Sequence, residues 1–234
     1  MLHILYSDEQ IVAIDKPAGL LVHRSALDAG ETRFAMQMLR DQLGRPVWPA
    51  HRLDKGTSGV LLFALDASVA SLLGQAFETA QMKKRYQALV RGWPVEDEGA
   101  IDHPLARDPE RPSAGQEMLA SRTAWRVLRR LEWTLETDPR FATSRFALLE
   151  LQPETGRRHQ LRRHLKHISH PIIGDATHGK GPLNRAVMAH LGVQRLWLHA
   201  LELGLRHPIS GAPLILRADP GPEWGLLDHP DRQA

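Results

Sequence analysis

The 234 residues include no cysteine. That excludes a disulfide framework, a thiolate nucleophile and any Cys-ligated zinc or iron–sulfur centre. Long apolar runs are missing as well. The longest, Gly59 to Leu65, is far short of the ~20 residues a membrane helix needs, so no membrane partner is expected. The first ten residues carry Asp8 and Glu9 and no basic segment. They do not read as a secretory signal, which makes the cytoplasm the default location. Also absent are a Gly-rich phosphate loop ending in Gly-Lys-Ser/Thr, a dinucleotide fingerprint opening a helix, and a Gly-x-Ser-x-Gly elbow. No internal repeat, low-complexity tract or linker-like shift in composition interrupts the chain. Charge of one sign is scarce too: 30 Lys and Arg against 27 Asp and Glu leave +3. As a whole-chain figure that points only weakly to nucleic acid.

What is present reads as many short strands and few helices. Ile4 to Tyr6 and Ile11 to Ile14 are β-like, separated by the polar turn Ser7-Asp8-Glu9-Gln10. Lys16-Pro17-Ala18-Gly19 is turn chemistry, after which Leu20-Leu21-Val22 resumes extended structure. Phe34 to Leu43 predicts a helix that stops at Gly44. Val60 to Leu65 is a continuous apolar run of strand length, hence a buried strand. Val69, Leu72, Leu73, Ala76, Phe77 and Ala80 recur at helical spacing over Ser68 to Ala80. Further strands are expected at Tyr86 to Val90, Ala124 to Leu128, Trp133 to Glu136, Phe146 to Leu151, Trp197 to Leu205 and Leu214 to Leu216. A basic helix is expected over about His159 to Ile168. The Pro- and Arg-rich stretch Pro104 to Glu117 reads as a surface loop. Strands joined by short turns favour an antiparallel-rich α+β sheet over a doubly wound fold. One domain is expected over residues 1–220, with 221–234 as a fraying tail.

Three constellations carry chemistry. The first is Ala50-His51-Arg52-Leu53-Asp54-Lys55-Gly56-Thr57-Ser58-Gly59, just ahead of the buried strand. Arg52 and Lys55 flank Asp54 and favour its ionised form. Gly56 and Gly59 permit a tight backbone that presents the carboxylate to a cleft. The competing reading is a capped turn, with Asp54 binding local amides. The second is Glu154-Thr155-Gly156-Arg157-Arg158-His159-Gln160-Leu161-Arg162-Arg163-His164-Leu165-Lys166-His167. From Arg157 to His170 there are five Lys or Arg and no acid, an electrostatic footprint for phosphate or else a solvated helical face. Of its four histidines only His164 and His167 share one face at i, i+3 spacing. With no carboxylate between them and no Cys, no metal is expected. The third is Lys83-Lys84-Arg85-Tyr86, an aromatic beside cations, as a base-stacking site needs. Tyr86 reads equally well as a half-buried strand aromatic.

The distribution of charge sharpens the weak total. Arg157 to His170 holds five cations and Lys83 to Arg91 four, so the rest of the chain balances at 21 − 27 = −6. A mildly acidic body carries two basic strips.

In this order the constellations resemble the motifs of one family, the RluA-type pseudouridine synthases. His51-Arg52-Leu53-Asp54 with Thr57-Ser58-Gly59 is similar to its catalytic motif. Lys16-Pro17-Ala18-Gly19 with Val22-His23 resembles the first supporting motif, and Lys84-Arg85-Tyr86 the second. Thr155-Gly156-Arg157, running through His159-Gln160-Leu161-Arg162 to His164, resembles the third. His170-Pro171-Ile172 with Gly174-Asp175, and Leu198-His199-Ala200 with His207-Pro208, resemble its C-terminal signatures. The likeness spans residues 1–217. Leu21-Val22-His23-Arg24-Ser25, the doubled Arg162-Arg163 and His178 resemble the branch that modifies tRNA at uridine 65. Gly56 stands where many relatives carry an acid, which bears on how the loop is braced.

The resemblance implies a pseudouridine synthase fold, a mixed sheet flanked by helices and loops with a catalytic cleft across it. It implies isomerisation of a uridine in structured RNA, with no cofactor. Asp54, Tyr86 and Arg162 would be catalytic. Asp54 would act as nucleophile at the ribose anomeric carbon or as base on the neighbouring proton, with Arg162 as its ion partner and Tyr86 packed on the uracil. Arg52 would fill the space left by the flipped uridine. His51, Lys83, Lys84, Arg85, Arg157, Arg158, Arg163 and Lys166 would hold the RNA. The partner would be tRNA, alternatively ribosomal RNA, and a silent RNA-binding protein on the same scaffold is the reading from another class. A monomer is expected. No segment is left ahead of the first motif for the additional N-terminal RNA-binding domain of some relatives.

Overall fold

The computed structural model describes residues 1–24, 30–228 and 230. Ser25 and the residues beyond 230 lie outside them. The chain divides into two compact units, residues 1–84 with 199–219, and residues 85–198 with 220–234.

In the first unit the two expected β-like pieces are β1 (His3–Ser7) and β2 (Ile11–Lys16), which pair as an antiparallel hairpin. Its turn is closed by Asp8, whose Oδ1 accepts the Gln10 and Ile11 N–H groups at 2.8 Å each. β4 (Ser58–Ala64) lies at the centre, and all of its residues are buried, as a strand covered on both faces requires. It runs antiparallel to β2 and to the short β3 (Trp48–Pro49), and parallel to β11 (Leu198–Arg206) at His199 and Ala200. β12 (Pro213–Arg217) completes the edge beside β11. Leu20-Leu21-Val22, expected as extended structure, forms no strand and makes an isolated bridge from Leu21 to Phe34. α1 (Ala35–Leu43) stops where its sequence says, at Gly44 with φ +66°. α2 (Ala67–Glu78) starts at Asp66, whose side chain caps the Ser68 N–H at 2.7 Å. Val69 and Leu73 pack on Ile11, Val60, Leu62 and Leu203. Leu72, expected on that face, is instead exposed.

The parallel contact of β4 with β11 depends on one residue. Gly59 has φ +107°, and a Cβ there would lie 2.2 Å from the Ala200 carbonyl oxygen. Gly59→Ala is expected to destabilise the protein by about 2–3 kcal/mol, from the left-handed backbone and the clash together. Urea unfolding of the two proteins checks this through the shift in midpoint at constant slope.

In the second unit β5 (Lys83–Arg91), β10 (Ser144–Pro153), β9 (Arg122–Trp133) and β6 (Glu98–Asp102) lie side by side in that order, all antiparallel. The strand expected at 124–128 runs on from Arg122 to Trp133, and the strand expected at 133–136 does not form beyond Trp133. The polar Arg129 and Arg130, which broke the apolar pattern, pair with Leu148 and Ala147 next to a register shift that leaves Leu128 of β9 unpaired. On one face of this sheet Ala88, Val90, Leu149 and Leu151 meet Leu161 and Leu165 of α3 (Gln160–His167). On the other, Leu89, Phe146 and Leu148 meet Leu183, Val187 and Leu191 of α4 (Gly181–Leu191), an element not expected from sequence.

Two further expectations are corrected. The stretch read as a surface loop contains β7 (Leu105–Ala106), which pairs with β8 (Met118–Leu119) just beyond it, and Leu105 and Ala106 are buried. The C-terminal segment does not fray at 222–228. A 3-10 helix there (Pro222–Asp228) buries Trp224 and Leu227, and the Arg195 guanidinium stacks on Trp197 and Trp224. Apart from the β4–β11 contact all these strand pairs are antiparallel, so the antiparallel-rich α+β expectation holds. Among the described residues no helix is long and apolar enough to cross a membrane.

Candidate active site

Asp54 sits half-buried on the loop that enters β4, and its carbonyl accepts the Thr57 N–H at 3.0 Å. The loop is pinned on both sides. On the entry side Lys16 is fully buried, and its Nζ donates to the carbonyls of Pro17 (2.9 Å), Leu20 (2.7 Å) and Lys55 (3.2 Å). The Gly19 N–H adds a bond to the same Lys55 carbonyl at 2.8 Å. A buried ammonium is costly unless its donors are met, so this lysine locks the 16–20 turn onto the Asp54 loop. On the exit side Ser58 Oγ lies 2.8 Å from His199 Nδ1, and His199 Nε2 lies 3.0 Å from the Ala218 carbonyl. A carbonyl only accepts, so Nε2 carries the proton and Nδ1 accepts from the Ser58 hydroxyl. Lys55, expected beside the carboxylate, extends its ammonium to Glu31 at 2.6 Å.

His51 braces the same loop. Its Nε2 accepts the Leu62 N–H at 3.2 Å, and its ring stacks on Phe77 with centroids 4.8 Å apart. Burial, reinforced by the neighbouring Lys84 charge, pushes its pKa down to about 4. It is therefore neutral at pH 7 and brings no positive charge to an RNA. Because the folded pKa lies below that of a free histidine, the stability it contributes is whole above about pH 6.5 and is lost as pH falls towards 4. His51→Gln keeps an acceptor for Leu62 but does not titrate. The loss of stability between pH 6.5 and 4 should be smaller in that variant, as read from urea midpoints across the range.

In the second unit Arg162 is 8% exposed and makes a two-pronged pair with Asp175, Nε to Oδ2 and Nη2 to Oδ1, both at 2.8 Å. Asp175 also accepts the Thr177 and His178 N–H groups at 2.9 Å each. Burial alone would raise its carboxyl, but Arg162 and these amides outweigh that and hold it below the ordinary value. Gly174-Asp175 was visible in the sequence only as part of a motif without a role. Here its carboxylate holds the Nε and Nη2 edge of Arg162. Tyr86 stands on β5 opposite Leu151 and packs, half-buried, against the core beneath α3.

The expected RNA-holding cations fall into two groups. Arg52, Lys83 and Lys166 are exposed and make no ion pair among the described residues. Arg157 is exposed, with Nε on the Ala120 carbonyl at 3.1 Å, and Arg163 is half-buried, with Nη1 on the Ala106 carbonyl at 2.9 Å. Burial lowers the Lys84 pKa. Two others are tied to acids. Arg85 joins Arg126 on the buried Glu150, at 2.6 and 3.0 Å, and Arg158 pairs with Glu110. Burial favours the neutral form of Glu150, yet Arg85, Arg126 and Gln152 hold its pKa below the usual range. Sequence reading missed Glu150, although a lone acid in the apolar strand Phe146 to Leu151 was a signal for buried cationic partners. Of the histidines weighed as metal ligands, His164 is committed to Thr123 at 2.9 Å and the His103 carbonyl at 3.0 Å. His167 stacks on His103.

Comparison with known proteins gives the family. The family model described as RNA pseudouridylate synthase matches residues 10–167. The chain is 48% identical to the tRNA pseudouridine synthase C of Vibrio cholerae, covering 98% of this chain and 96% of that one. It is 47% identical to the protein of the same name from Yersinia pestis, over 98% and 91%. Among solved structures, Human RNA Pseudouridylate Synthase Domain Containing 4 superposes with a TM-score of 0.70 at 28% identity, over 98% of this chain and 93% of that one. Human RNA Pseudouridylate Synthase Domain Containing 1 gives a TM-score of 0.73 at 25% identity, over 94% and 84%.

Proposed function

The chain belongs to the RNA pseudouridylate synthase family, and on that footing we propose that it isomerises one uridine of tRNA, uridine 65, to pseudouridine. The observation that carries the tRNA assignment is the similarity of 98% of the chain, at 48% identity, to an enzyme named for acting on tRNA. In the reaction the N1–C1′ bond breaks, the uracil turns over, and a C5–C1′ bond forms. The C5 proton leaves and N1 takes one up, so the composition of the RNA is unchanged and no redox partner is needed.

Asp54 is the group that meets the ribose, as nucleophile at C1′ or as base on the adjacent proton. Its placement on a loop held by Lys16 and by the Ser58–His199 pair supports the role, because a reacting carboxylate gains from being fixed before the substrate arrives. Arg162, aimed by Asp175, serves Asp54 as counter-cation, and Tyr86 packs on the uracil and assists loss of the C5 proton. The uridine is flipped out of its stack, at a cost of a few kcal/mol. The exposed Arg52 enters the space it leaves and offsets part of that cost. Lys83, Lys84, Arg157, Arg163 and Lys166 hold phosphates, whereas the acidic partners of Arg85 and Arg158 and the neutral ring of His51 fit bracing roles better. The enzyme is taken to work as a monomer in the cytoplasm.

The test is incubation with unmodified tRNA and ribosomal RNA, followed by mapping of pseudouridine. The reading expects product at one tRNA position. Product in ribosomal RNA alone would move the substrate, and tRNA binding without product would make the chain a binding protein.

A further inference from the structure

Where α3 meets β9, three buried polar side chains take no part in the proposed chemistry: Gln160, Thr123 and His164. Their hydrogen bonds run in one direction, and each hydrogen can be assigned. Gln160 Oε1 accepts the Arg157 N–H at 2.9 Å and the Thr155 hydroxyl at 2.7 Å. An N–H only donates, so the amide is oriented, and its Nε2 donates to the Arg122 carbonyl and to Thr123 Oγ1, both at 3.0 Å. At the other end His164 Nε2 lies 3.0 Å from the His103 carbonyl and 3.1 Å from Ser121 Oγ. A carbonyl only accepts, so Nε2 carries the ring proton, and Nδ1 accepts the one hydrogen of the Thr123 hydroxyl at 2.9 Å. Burial lowers the His164 pKa, which favours the neutral ring this arrangement needs.

The Thr123 hydroxyl is the link between the two ends, accepting from Gln160 and donating to His164. These two stand one turn apart on the same side of α3. Arg162, two residues from each, falls on the opposite side, where it meets Asp175. The helix has only eight residues, too few to be held by its own bonds, and its N-cap, His159, supplies no side-chain cap. Leu161 and Leu165 bury it against the sheet, but apolar contact has no direction. The hydrogen bonds through Thr123 do have one, and they fix the rotation of α3 from the side facing away from Arg162. A turn of about 10° moves a group on the outer radius of a helix by about 1 Å.

We propose that Thr123 is a positioning residue of the reaction, setting through the rotation of α3 where the Arg162 guanidinium stands. The inference rests on the reading that Arg162 serves pseudouridine formation. Thr123 is itself buried in the interior, so it acts on the rate through Arg162 and not by touching the RNA.

The experiment compares single-turnover rates on saturating unmodified tRNA with tRNA binding, using the full chain, and urea midpoints confirm that each variant is folded. Thr123→Val keeps the shape and removes the hydroxyl. Its rate should fall roughly 10- to 100-fold, the scale of a 1 Å misplacement, with tRNA affinity within about twofold of the parent. Thr123→Ser keeps the hydroxyl and should stay within about threefold in rate. The deciding comparison repeats Thr123→Val in an Arg162→Lys background. Lysine has no planar fork to be placed, so there the same change should cost less than about threefold. If Thr123→Val does not fold, His164→Gln carries the same comparison, since it keeps a donor for the His103 carbonyl and takes the acceptor from Thr123. A Thr123→Val rate within twofold of the parent overturns the proposal. Equal losses with Arg and with Lys at position 162 also overturn it, and so does a loss of binding as large as the loss of rate. In those three outcomes the parent still makes pseudouridine and the enzymatic reading stands. A parent that makes none fails that reading, and the role of Thr123 falls with it.

Discussion

Asp54→Asn should lower pseudouridine formation on unmodified tRNA by roughly 10,000-fold or more, the scale seen when an enzyme loses its reacting group. Binding of tRNA should stay within a few-fold of the parent. Asparagine matches aspartate in shape but neither attacks C1′ as an anion nor accepts a proton as a carboxylate does. Bonds that pin the loop at Lys55 and Thr57 end on main-chain carbonyls: Lys16 Nζ and the Gly19 N–H to the Lys55 carbonyl, and the Thr57 N–H to the Asp54 carbonyl. The substitution leaves those atoms in place, and the urea midpoint of the variant checks that the fold is kept. Asp54→Glu keeps the charge but moves it about 1 Å, which should cost on the order of 100-fold. Single-turnover assays on one tRNA preparation give all three rates, and comparable rates for the parent and Asp54→Asn would remove Asp54 from the chemistry.

The second large effect concerns stability as well as rate. Asp175→Ala takes a two-pronged acceptor from a buried guanidinium and an acceptor from two backbone N–H groups, because Asp175 accepts from Arg162, Thr177 and His178 together. Breaking a buried ion pair from one side costs about 3–5 kcal/mol, since the remaining charge keeps its desolvation penalty. The urea midpoint at pH 7 should fall accordingly, and turnover should fall with it as Arg162 loses its aim. Asp175→Asn, which keeps an acceptor, should lose less stability. The pH dependence gives an independent check. The Asp175 carboxyl titrates below its ordinary value of 3.8 in the folded protein. Its contribution is therefore whole above about pH 4 and disappears as pH falls further. The gap in stability between the parent and Asp175→Ala should narrow below pH 4, and a constant gap would mean that the carboxylate is not the stabilising group.

Much of this was legible in the sequence where one local signal dominates. The unbroken run Val60 to Leu65 announced a strand covered on both faces, and Gly44 announced the end of α1. What escaped was set by tertiary partners. α4 opens on Gly181-Pro182, which reads as a turn, although Leu183, Val187 and Leu191 keep helical spacing beneath it. Lys16 looked like part of a polar turn because nothing local shows that three carbonyls await its ammonium. Asp175 and Glu150 looked unremarkable for the same reason, since their arginines lie 13 to 65 positions away. Leu72 failed the opposite test: its spacing was right, but the core beneath α2 buries Val69 and Leu73 and partly covers Ala76 and Phe77, leaving Leu72 exposed. For the site, motif order carried the residues, while the geometry added what holds them: Lys16 and His199 at the Asp54 loop, Asp175 behind Arg162.

The most direct test of the central claim is release of label from tRNA carrying tritium at C5 of uracil. Forming the C5–C1′ bond expels that hydrogen, so the account predicts one equivalent released per tRNA, matched by one pseudouridine at a single position. Binding of the tRNA with no tritium released above the level of the Asp54→Asn variant would contradict it.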